Sequence, residues 1–415
     1  MKILLVNCVF GFGSTGKIML DLCRGLIEHG HEVKLCFGRG KQHNSDYATL
    51  LASPFVQKIQ SLCSKFTGRG YECAPISTHH LFSVIKEWKP DVVNLHCVNA
   101  NSINVAETIS FLKENNIATV ISNHAEFLYT GGCGHALSCE KWKIGCNDCE
   151  QIGKSYSMLP YSFVPQKTHR YWMHLQKAYS GFGKLIITGV SPWLVDRISD
   201  SPFFKSNQSF VVGNGLNTDV FSPRNYDYLL EKHQLTESQP ILLHVTPNFF
   251  SPIKGGKYVL EIAKEIKESL PEAKIIIVGY RGDTSNLPEN VIPVAFTKDQ
   301  RELADYYTMA NLTLLTSERE TFSMVCAESL CCGTPVVGFK AGAPETISIK
   351  EYSRFVDYAN VKLLHDAIIE MIKYKKINTI NIEKSHYLYS VDRMVEGYLK
   401  CYIKVYKSED INISR

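Results

Sequence analysis

The chain has 415 residues, enough for two or three domains of ordinary size. Hydrophobic residues make up 45% and charged residues 21%, which excludes a disordered or collagen-like chain. The formal net charge of +4 is too small to indicate a nucleic-acid-binding protein. The positive surplus falls in the first half of the sequence, which favours contact with an anionic ligand or membrane surface there.

No apolar run reaches the roughly 18 residues that a membrane-spanning helix needs. The first residues, MKILLVNCVFGFG, lead directly into a strand-like run and then glycines, which is not the pattern of a cleavable secretory leader. We therefore expect a soluble, cytoplasmic protein. Its 14 cysteines are too few for a disulfide scaffold and are expected to be mostly reduced thiols.

Short apolar runs alternate with amphipathic helical stretches along the whole chain. Buried parallel strands are expected in the first half at 2–7, 32–37, 91–96, 118–124 and 184–190. The pattern restarts in the second half, at 241–245, 274–279, 311–317 and 335–339. This alternation predicts an α/β protein with two doubly wound, Rossmann-like domains. Ligands of such sheets bind at the carboxyl ends of the strands, so the expected site is a cleft between the two domains.

A segment rich in Gly, Asn and Pro, GNGLNTDVFSPRN (213–225), lacks periodicity and is expected to link the domains. Apolar side chains recur at helical spacing from Met394 to Val405, which predicts a terminal helix that packs back on the body. The predicted divisions are an N-terminal domain over 1–212 with a cysteine-rich insertion at 130–153, a C-terminal domain over 213–390, and the terminal helix over 391–415.

The most informative stretch is NLTLLTSERETFSMVCAESLCCGTPVVGF. A strand ends near Ser317, and a helix is expected to begin around Thr321 and to end at Gly333. The first amides of a helix lack intrahelical partners and attract phosphate or polarised hydroxyls. Glu328 interrupts an otherwise apolar helix, where hydroxyl groups of a ligand would satisfy its carboxylate. An exposed position on a solvent-facing stripe is the alternative.

This block resembles the donor site of retaining glycosyltransferases of family 4, which have the GT-B fold. The resemblance implies transfer of a sugar from a UDP- or GDP-sugar with retention at the anomeric carbon, and no metal or other cofactor in the chemistry. The matching features are Glu320 and Glu328, the Gly-Thr-Pro-Val-Val run at 333–337, Gly342 and Glu345, the linker VGNGLNTDVFSP (212–223) and the glycine loop at 11–16.

The resemblance also implies roles for single residues of the second domain. Glu320 would bind hydroxyls of the donor sugar, and Glu328 would accept hydrogen bonds from the ribose hydroxyls of the nucleotide. The amides of Thr321, Phe322 and Ser323 would lie beside the sugar. Together with Lys254 and Gly13, both described below, these residues form the predicted donor site.

Lys254, in SPIKGGKYVLEIAKEI, matches the lysine that contacts the donor diphosphate in the resembled family. A cation there would stabilise the charge that builds on the leaving diphosphate. Lys257 is the alternative lysine, and a surface position is the alternative for either. Many members of the family place an arginine shortly before this lysine, but residues 244–253 contain none. Arg281 or another cation would then substitute.

The glycine loop Gly11–Gly16 also fits the G-x-G-x-x-G pattern of dinucleotide-binding proteins. That interpretation needs an acidic residue at the end of the next strand, and residues 35–39 contain none. The glycines are instead expected to let the backbone approach a phosphate or an acceptor, with Gly13 as the contact.

His124 ends the predicted strand 118–124, and the family resemblance implies that a histidine there contacts the donor sugar or the reacting region. A structural histidine is the alternative. Related enzymes often continue with aspartate, for which Glu126 would stand in. His96 would line the same face. The predicted catalytic residues are therefore Glu320, His124 and Lys254.

Four cysteines, Cys133, Cys139, Cys146 and Cys149, follow one another as C-x5-C-x6-C-x2-C in a segment rich in Gly and polar residues. This spacing favours a structural zinc site with four thiolate ligands, and unligated thiols or redox-labile pairs are the alternatives. A similar insertion occurs in family-4 enzymes that build bacterial exopolysaccharide, O-antigen and colanic-acid-type repeats. It is expected to overhang the acceptor side.

Two short basic amphipathic stretches, at 55–69 and 167–177, favour peripheral contact with an anionic membrane, and a solvated charged face is the alternative. With the resemblance, they predict a saccharide acceptor linked to a lipid diphosphate at the inner face of the cytoplasmic membrane. Two rival interpretations stay open: a nucleotide-sugar epimerase of the same fold, and a non-catalytic partner subunit of a transferase.

Overall fold

The computed structural model describes residues 1–40, 47–154, 157–372 and 379–408. The chain divides into two compact units. Unit 1 is Met1–Gly215 together with Met394–Arg415, and unit 2 is Leu216–Arg393. Unit 1 is therefore built from both ends of the chain, and unit 2 is one continuous segment.

Each unit contains one parallel sheet. In chain order the strands are β1 (Lys2–Val9), β2 (Glu32–Arg39), β3 (Ala48–Leu50), β4 (Val92–Leu95), β5 (Thr119–Asn123), β6 (Leu185–Gly189), β7 (Gln208–Val211), β8 (Ile241–Val245), β9 (Lys274–Val278), β10 (Val291–Val294), β11 (Leu312–Leu315), β12 (Val336–Phe339) and β13 (Ser353–Val356). Within the described residues, the sheet of unit 1 has seven strands in the order β3-β2-β1-β4-β5-β6-β7, and that of unit 2 has six in the order β10-β9-β8-β11-β12-β13.

Helices connect the strands. In chain order they are α1 (Gly13–Glu28), α2 (Pro54–Thr67), α3 (Pro75–Trp88), α4 (Val105–Glu114), α5 (Thr168–Tyr179), α6 (Pro192–Ser199), α7 (Asp227–His233), α8 (Gly256–Ser269), α9 (Gln300–Met309), α10 (Met324–Cys331), α11 (Pro344–Ile347), α12 (Val361–Met371), α13 (Thr379–Tyr389) and α14 (Val391–Lys407). Several begin at side-chain caps: Ser53 Oγ accepts from the Val56 amide, and Ser191 Oγ accepts from the Leu194 amide. No helix in the described ranges has the length and hydropathy to cross a membrane.

The predicted fold class is confirmed: two Rossmann-like α/β units, each with a parallel sheet. The central strands are buried on both faces, as their largely apolar sequences indicated; every residue of β4, β5, β6 and β11 is buried. In both sheets the chain runs outward from the first strand and then returns to its other side. The switch point is therefore beside β1 in unit 1 and beside β8 in unit 2.

The terminal helix α14 packs on unit 1. Its Tyr402 hydroxyl accepts a hydrogen bond from Asn94 Nδ2 of β4 at 2.7 Å, and both side chains are fully buried. A Cβ added at Gly25 of α1 would lie 2.5 Å from Val395 Cγ2, so only a glycine allows α14 to come this close. Residues 409–415, which belong to the predicted terminal segment, lie outside the described residues.

Candidate active site

Lys254 and Glu320 form an ion pair in unit 2, with 2.7 Å between Lys254 Nζ and Glu320 Oε1. Lys254 follows β8 and Glu320 follows β11, two strands that are neighbours in the sheet. Both side chains retain solvent contact, with 29% and 17% of their surface exposed. A cation and a carboxylate thus stand together at the carboxyl edge of the second sheet, beside its switch point.

The two loops that carry this pair are joined by backbone contacts. The Glu318 amide donates to the Ile253 carbonyl at 2.8 Å, and Thr316 Oγ1 donates to the Lys254 carbonyl at 3.1 Å. Gly255 has a φ of 66°, and a Cβ there would lie 2.0 Å from the Thr316 carbonyl oxygen. A glycine is therefore required after Lys254 to let the β8 loop lie against the end of β11.

The segment after β12 fixes the backbone of Glu320 from the other side. The Glu320 amide donates to the Ala341 carbonyl at 2.9 Å, and the Ala343 amide donates to the Glu320 carbonyl at 3.1 Å. Glu345 Oε1 accepts from the Gly342 amide at 3.1 Å. The downstream glycine and glutamate of the sequence motif thus hold the loop of Glu320 in place.

The predicted start of the helix after this loop was wrong by three residues. Helix α10 begins at Met324, so Thr321 and Phe322 lie in the loop, and Ser323 is the N-cap whose Oγ accepts from the Cys326 amide at 3.3 Å. Ser323 has a φ of 75°, a left-handed conformation that is costly for a residue with a side chain. Phe322 is buried, which anchors the loop beside Glu320.

Glu328 lies on α10 and is neither fully exposed nor fully buried. The hydroxyl of the buried Tyr307, on α9, donates to Glu328 Oε2 at 2.9 Å. Burial and the neighbouring carboxylate raise the pKa of Tyr307, so the phenol stays protonated and keeps donating. A protein group therefore already satisfies part of this carboxylate, which sequence reasoning had left entirely to a ligand.

The other cations considered for this site have different contacts. Lys257 is exposed on α8, with Nζ 4.5 Å from the centre of the Tyr258 ring. The guanidinium of Arg281 lies 5.5 Å from the centre of the Phe296 ring. Of these three cations, Lys254 is the one that the structure places on Glu320.

His244, on β8, was missed as a feature of this unit by sequence reasoning. Its Nδ1 lies 3.1 Å from the Leu314 carbonyl of β11, and its buried Nε2 has no hydrogen-bond partner among the residues that the structure describes. Burial lowers the pKa of His244 to about 4, so the ring is neutral at physiological pH. Only its position inside the apolar run ILLHV could have indicated a buried histidine.

In unit 1, the glycine loop, His96 and His124 follow β1, β4 and β5, which are neighbours in the sheet. His96 Nδ1 lies 3.1 Å from His124 Nε2. Burial lowers the pKa of His124 to about 4, and burial together with the facing ring lowers that of His96, so both are neutral. The two histidines thus form one uncharged pair. Gly13, the first residue of α1, has a φ of 66° and open space around its missing Cβ.

Glu126 does not stand at the site as a substitute aspartate. It is fully buried, and its carboxylate accepts hydrogen bonds from Arg197 Nε at 2.6 Å, the Ala136 amide at 2.7 Å and the Tyr129 hydroxyl at 2.9 Å. Its oxygens are therefore used inside unit 1. Through Ala136, the carboxylate anchors the start of the cysteine-rich segment.

The cysteines Cys133, Cys139, Cys146 and Cys149 all line one small cavity of about 20 Å³. Cys146 Sγ also accepts a hydrogen bond from the Gly131 amide at 3.0 Å. Their convergence and chemistry fit a four-thiolate zinc ion. Their present spacing does not, because no three His, Cys, Asp or Glu side chains within the described residues are placed to hold a metal ion. The zinc site stays a prediction.

Residues 227–386 match the family described as "Glycosyl transferases group 1". The chain is 26% identical over 201 residues to the N-acetyl-alpha-D-glucosaminyl L-malate synthase of Bacillus anthracis. That alignment covers 46% of this chain and 51% of the relative, so the chain spans about half the length of this relative. The chain is also 20% identical over 429 residues to the putative colanic acid biosynthesis glycosyl transferase WcaC of Escherichia coli K12, covering 97% of this chain and 99% of WcaC.

Solved structures are similar over nearly the whole chain. The sucrose-phosphate synthase of Thermosynechococcus elongatus has a TM-score of 0.71 at 16% identity, covering 98% of this chain and 99% of that one. Anabaena Alr3699/HepE in complex with UDP-glucose has a TM-score of 0.62 at 14% identity, covering 97% and 100%. At these identities the likeness shows the fold, which is that of GT-B glycosyltransferases.

Proposed function

We propose that this chain, which carries a glycosyl transferases group 1 domain at residues 227–386, is a retaining glycosyltransferase that uses a nucleotide sugar. The observation that carries the proposal is the Lys254–Glu320 pair at the carboxyl edge of the second sheet. The family match falls on the unit that holds this pair and Glu328. The donor would be a UDP- or GDP-sugar, and the UDP-glucose complex of the similar Anabaena protein supports UDP.

The ion pair suggests how the donor would be held. A diphosphate would take Lys254 away from Glu320, and hydroxyls of the donor sugar would then hydrogen-bond to the released carboxylate. Donor binding thus replaces the ion pair between Lys254 and Glu320 with two charged contacts, one from Lys254 to the diphosphate and one from Glu320 to the sugar hydroxyls. As the bond from the sugar to the diphosphate breaks, negative charge builds on the leaving group, and Lys254 would stabilise it. Glu328, which accepts from Tyr307, would also accept from the ribose hydroxyls.

The acceptor would be a saccharide linked to a lipid diphosphate, at the inner face of the cytoplasmic membrane. Support comes from WcaC, a relative along the whole chain whose name refers to colanic acid biosynthesis, and from the positive surplus of the first half of the sequence. The acceptor hydroxyl would attack the face from which the diphosphate departs. The neutral pair of His96 and His124 would give the reacting sugar an uncharged hydrogen-bonding partner through His124.

The test is a transfer assay on the full chain with a panel of UDP- and GDP-sugars and a lipid-linked saccharide. Glu320→Ala and Lys254→Ala are each expected to lower turnover by about 10²–10³-fold. Glu320→Ala should cost far more turnover than fold stability. Lys257→Ala is the matched control, because this lysine is three residues away and exposed, and it should keep parental activity.

Two further outcomes separate the rival functions. Incubation of the donor alone should leave it unchanged, whereas formation of an isomeric sugar nucleotide would indicate an epimerase. Failure of every nucleotide sugar to shift the melting temperature would indicate a non-catalytic subunit. The anomeric configuration of the product, read by NMR, tests retention; an inverted product would overturn the mechanism.

A further inference from the structure

Helix α2 has its polar and apolar faces reversed with respect to the protein. Its buried side chains are Gln60 and Ser64. Gln60 Nε2 donates to Ser77 Oγ at 3.1 Å, and Ser64 Oγ donates to the Gly70 carbonyl at 2.8 Å. Unit 1 therefore holds this helix by hydrogen bonds and not by an apolar stripe.

The apolar face of α2 points to solvent. Phe55, Ile59, Leu62 and Phe66 are 72%, 49%, 49% and 61% exposed. Their spacing of i, i+4, i+7 and i+11 places all four on one side of the helix. Single exposed apolar residues are common, but a continuous stripe of four indicates a surface that another body covers.

A second segment of unit 1 extends this stripe. The Phe163 ring lies 5.0 Å from the Phe66 ring and is 55% exposed, and Tyr161 beside it is 67% exposed. Backbone hydrogen bonds fix the segment to α2, because the Phe163 amide donates to the Lys65 carbonyl at 2.9 Å. We call the combined surface the apolar face; its members are Phe55, Ile59, Leu62, Phe66, Tyr161 and Phe163.

The surroundings of the apolar face are basic. Five cations lie on or close in sequence to the segments that form it: Lys58, Lys65, Arg69, Lys167 and Arg170. Three of them, Arg69, Lys167 and Arg170, line a groove of about 780 Å³ whose other walls include Phe66 and Val164. No Asp or Glu occurs in the sequence at 47–71 or 151–195. The carboxylate of Glu72 is buried and lies 3.8 Å and 3.5 Å from the Nε atoms of Arg69 and Arg170.

We propose that the apolar face and its flanking cations dock unit 1 onto a bilayer that contains anionic lipids. The aromatic and aliphatic side chains would enter the headgroup boundary, and the cations would contact the lipid phosphates. Charge complementarity decides against a second copy of this chain, because a symmetric dimer would place the same cations against one another. The inference deepens the membrane location in the proposed function, and it names the surface that makes the contact.

The experiment is co-sedimentation of the full chain with vesicles of phosphatidylcholine, with and without phosphatidylglycerol. The parent is expected to bind the anionic vesicles, and less so at high salt. The double variant Phe55→Ser, Phe66→Ser should bind them at least about tenfold more weakly. Leu62→Gln is a milder second variant on the same stripe. Ile380→Ser is the matched control, since Ile380 is 75% exposed on α13 of unit 2.

The charge contribution is tested by Lys58→Gln, Lys167→Gln, which should lose the preference for anionic over neutral vesicles. Lys264→Gln, Lys362→Gln changes the net charge equally from exposed positions in unit 2 and should keep it. Equal vesicle binding by parent and both test variants overturns the proposal. The proposal is also overturned if the parent binds no vesicles and is instead a dimer by light scattering that Phe55→Ser, Phe66→Ser converts to a monomer. The vesicle assay needs no donor or acceptor, so its result is independent of the transfer assay. The Glu320→Ala variant should therefore still bind the anionic vesicles.

Discussion

The hydroxyl of Tyr307 donates a hydrogen bond to Glu328 Oε2 at 2.9 Å, and it does so from a fully buried ring. The phenol therefore orients the carboxylate that we assign to the ribose of the donor. This relationship joins α9 to α10 and makes Tyr307 a positioning residue for the proposed site. This hydrogen bond can be tested by a conservative substitution that removes the hydroxyl and leaves the ring in place.

Tyr307→Phe should raise the donor KM several-fold with little change in kcat, because a single hydrogen bond of this kind is worth about 0.5–1.5 kcal/mol. Steady-state kinetics with the preferred donor measure the split. Tyr306→Phe is the control, because the hydroxyl of this neighbouring tyrosine lies 2.9 Å from His233 Nε2, on α7, and not on Glu328. An unchanged donor KM in Tyr307→Phe would show that this phenol does not contribute to donor binding.

Arg197→Ala should destabilise unit 1 by about 3–5 kcal/mol, because it leaves the buried carboxylate of Glu126 without its cation. Urea unfolding measures the loss. Lys143→Ala removes solvent-screened ion pairs with Glu140 and Asp200 and should leave the unfolding free energy nearly unchanged. Similar losses in both variants would contradict a stabilising buried ion pair between Arg197 and Glu126.

Acid should destabilise the protein through its buried histidines. Burial lowers the pKa of His124 and of His244 from 6.5 to about 4, so below pH 6.5 the unfolded chain binds protons that the native state does not. Their contribution is fully present above pH 6.5 and is lost as the pH falls towards 4, by about 1.4 kcal/mol per pH unit for each ring.

Unfolding free energies measured across this pH range, for the parent and for His244→Gln, test the assignment. In the variant, the unfolding free energy should fall less steeply with decreasing pH, because unfolding takes up one proton fewer. His79→Gln, which removes an exposed histidine from α3, controls for the loss of a ring as such. A His244→Gln profile parallel to that of the parent would contradict a buried neutral ring.

The purified chain is expected to contain one zinc ion per molecule in the cavity lined by Cys133, Cys139, Cys146 and Cys149. A four-thiolate ion would draw the sulfurs together and order a loop of low apolar content. Elemental analysis gives the stoichiometry, and Cys149→Ser should abolish it, while the exposed Cys63 offers the control Cys63→Ser. Metal-free protein with four titratable thiols in this loop would refute the site.

The central strands could be predicted from sequence because burial on both faces leaves apolar runs such as ILLHV and KIIIV. The edge strands β3, β7, β10 and β13 were missed. Each has at most one buried residue, so its sequence carries neither an apolar run nor a clear alternation. Local pattern thus reveals the middle of a parallel sheet better than its margins.

At the site, the motif residues could be predicted, but the contacts that orient them could not. The predicted helix start at Thr321 was wrong because Ser323, in a left-handed conformation, delays α10 to Met324. Tyr307 was missed because its partner Glu328 is 21 residues away in sequence. Glu126 was misread for the same reason, since Arg197 lies 71 residues away. Pairing across sequence distance is a property of the tertiary fold.

The attachment of α14 to unit 1 has a consequence for synthesis on the ribosome. Asn94 of β4 donates a hydrogen bond to Tyr402, and Gly25 of α1 packs on Val395. The first half of the chain therefore completes its packing only with residues that are translated after all of unit 2. Unit 2 is continuous and can fold as it emerges from the exit tunnel. The nascent unit 1 must therefore keep its α14-binding surface uncovered until α14 has been translated.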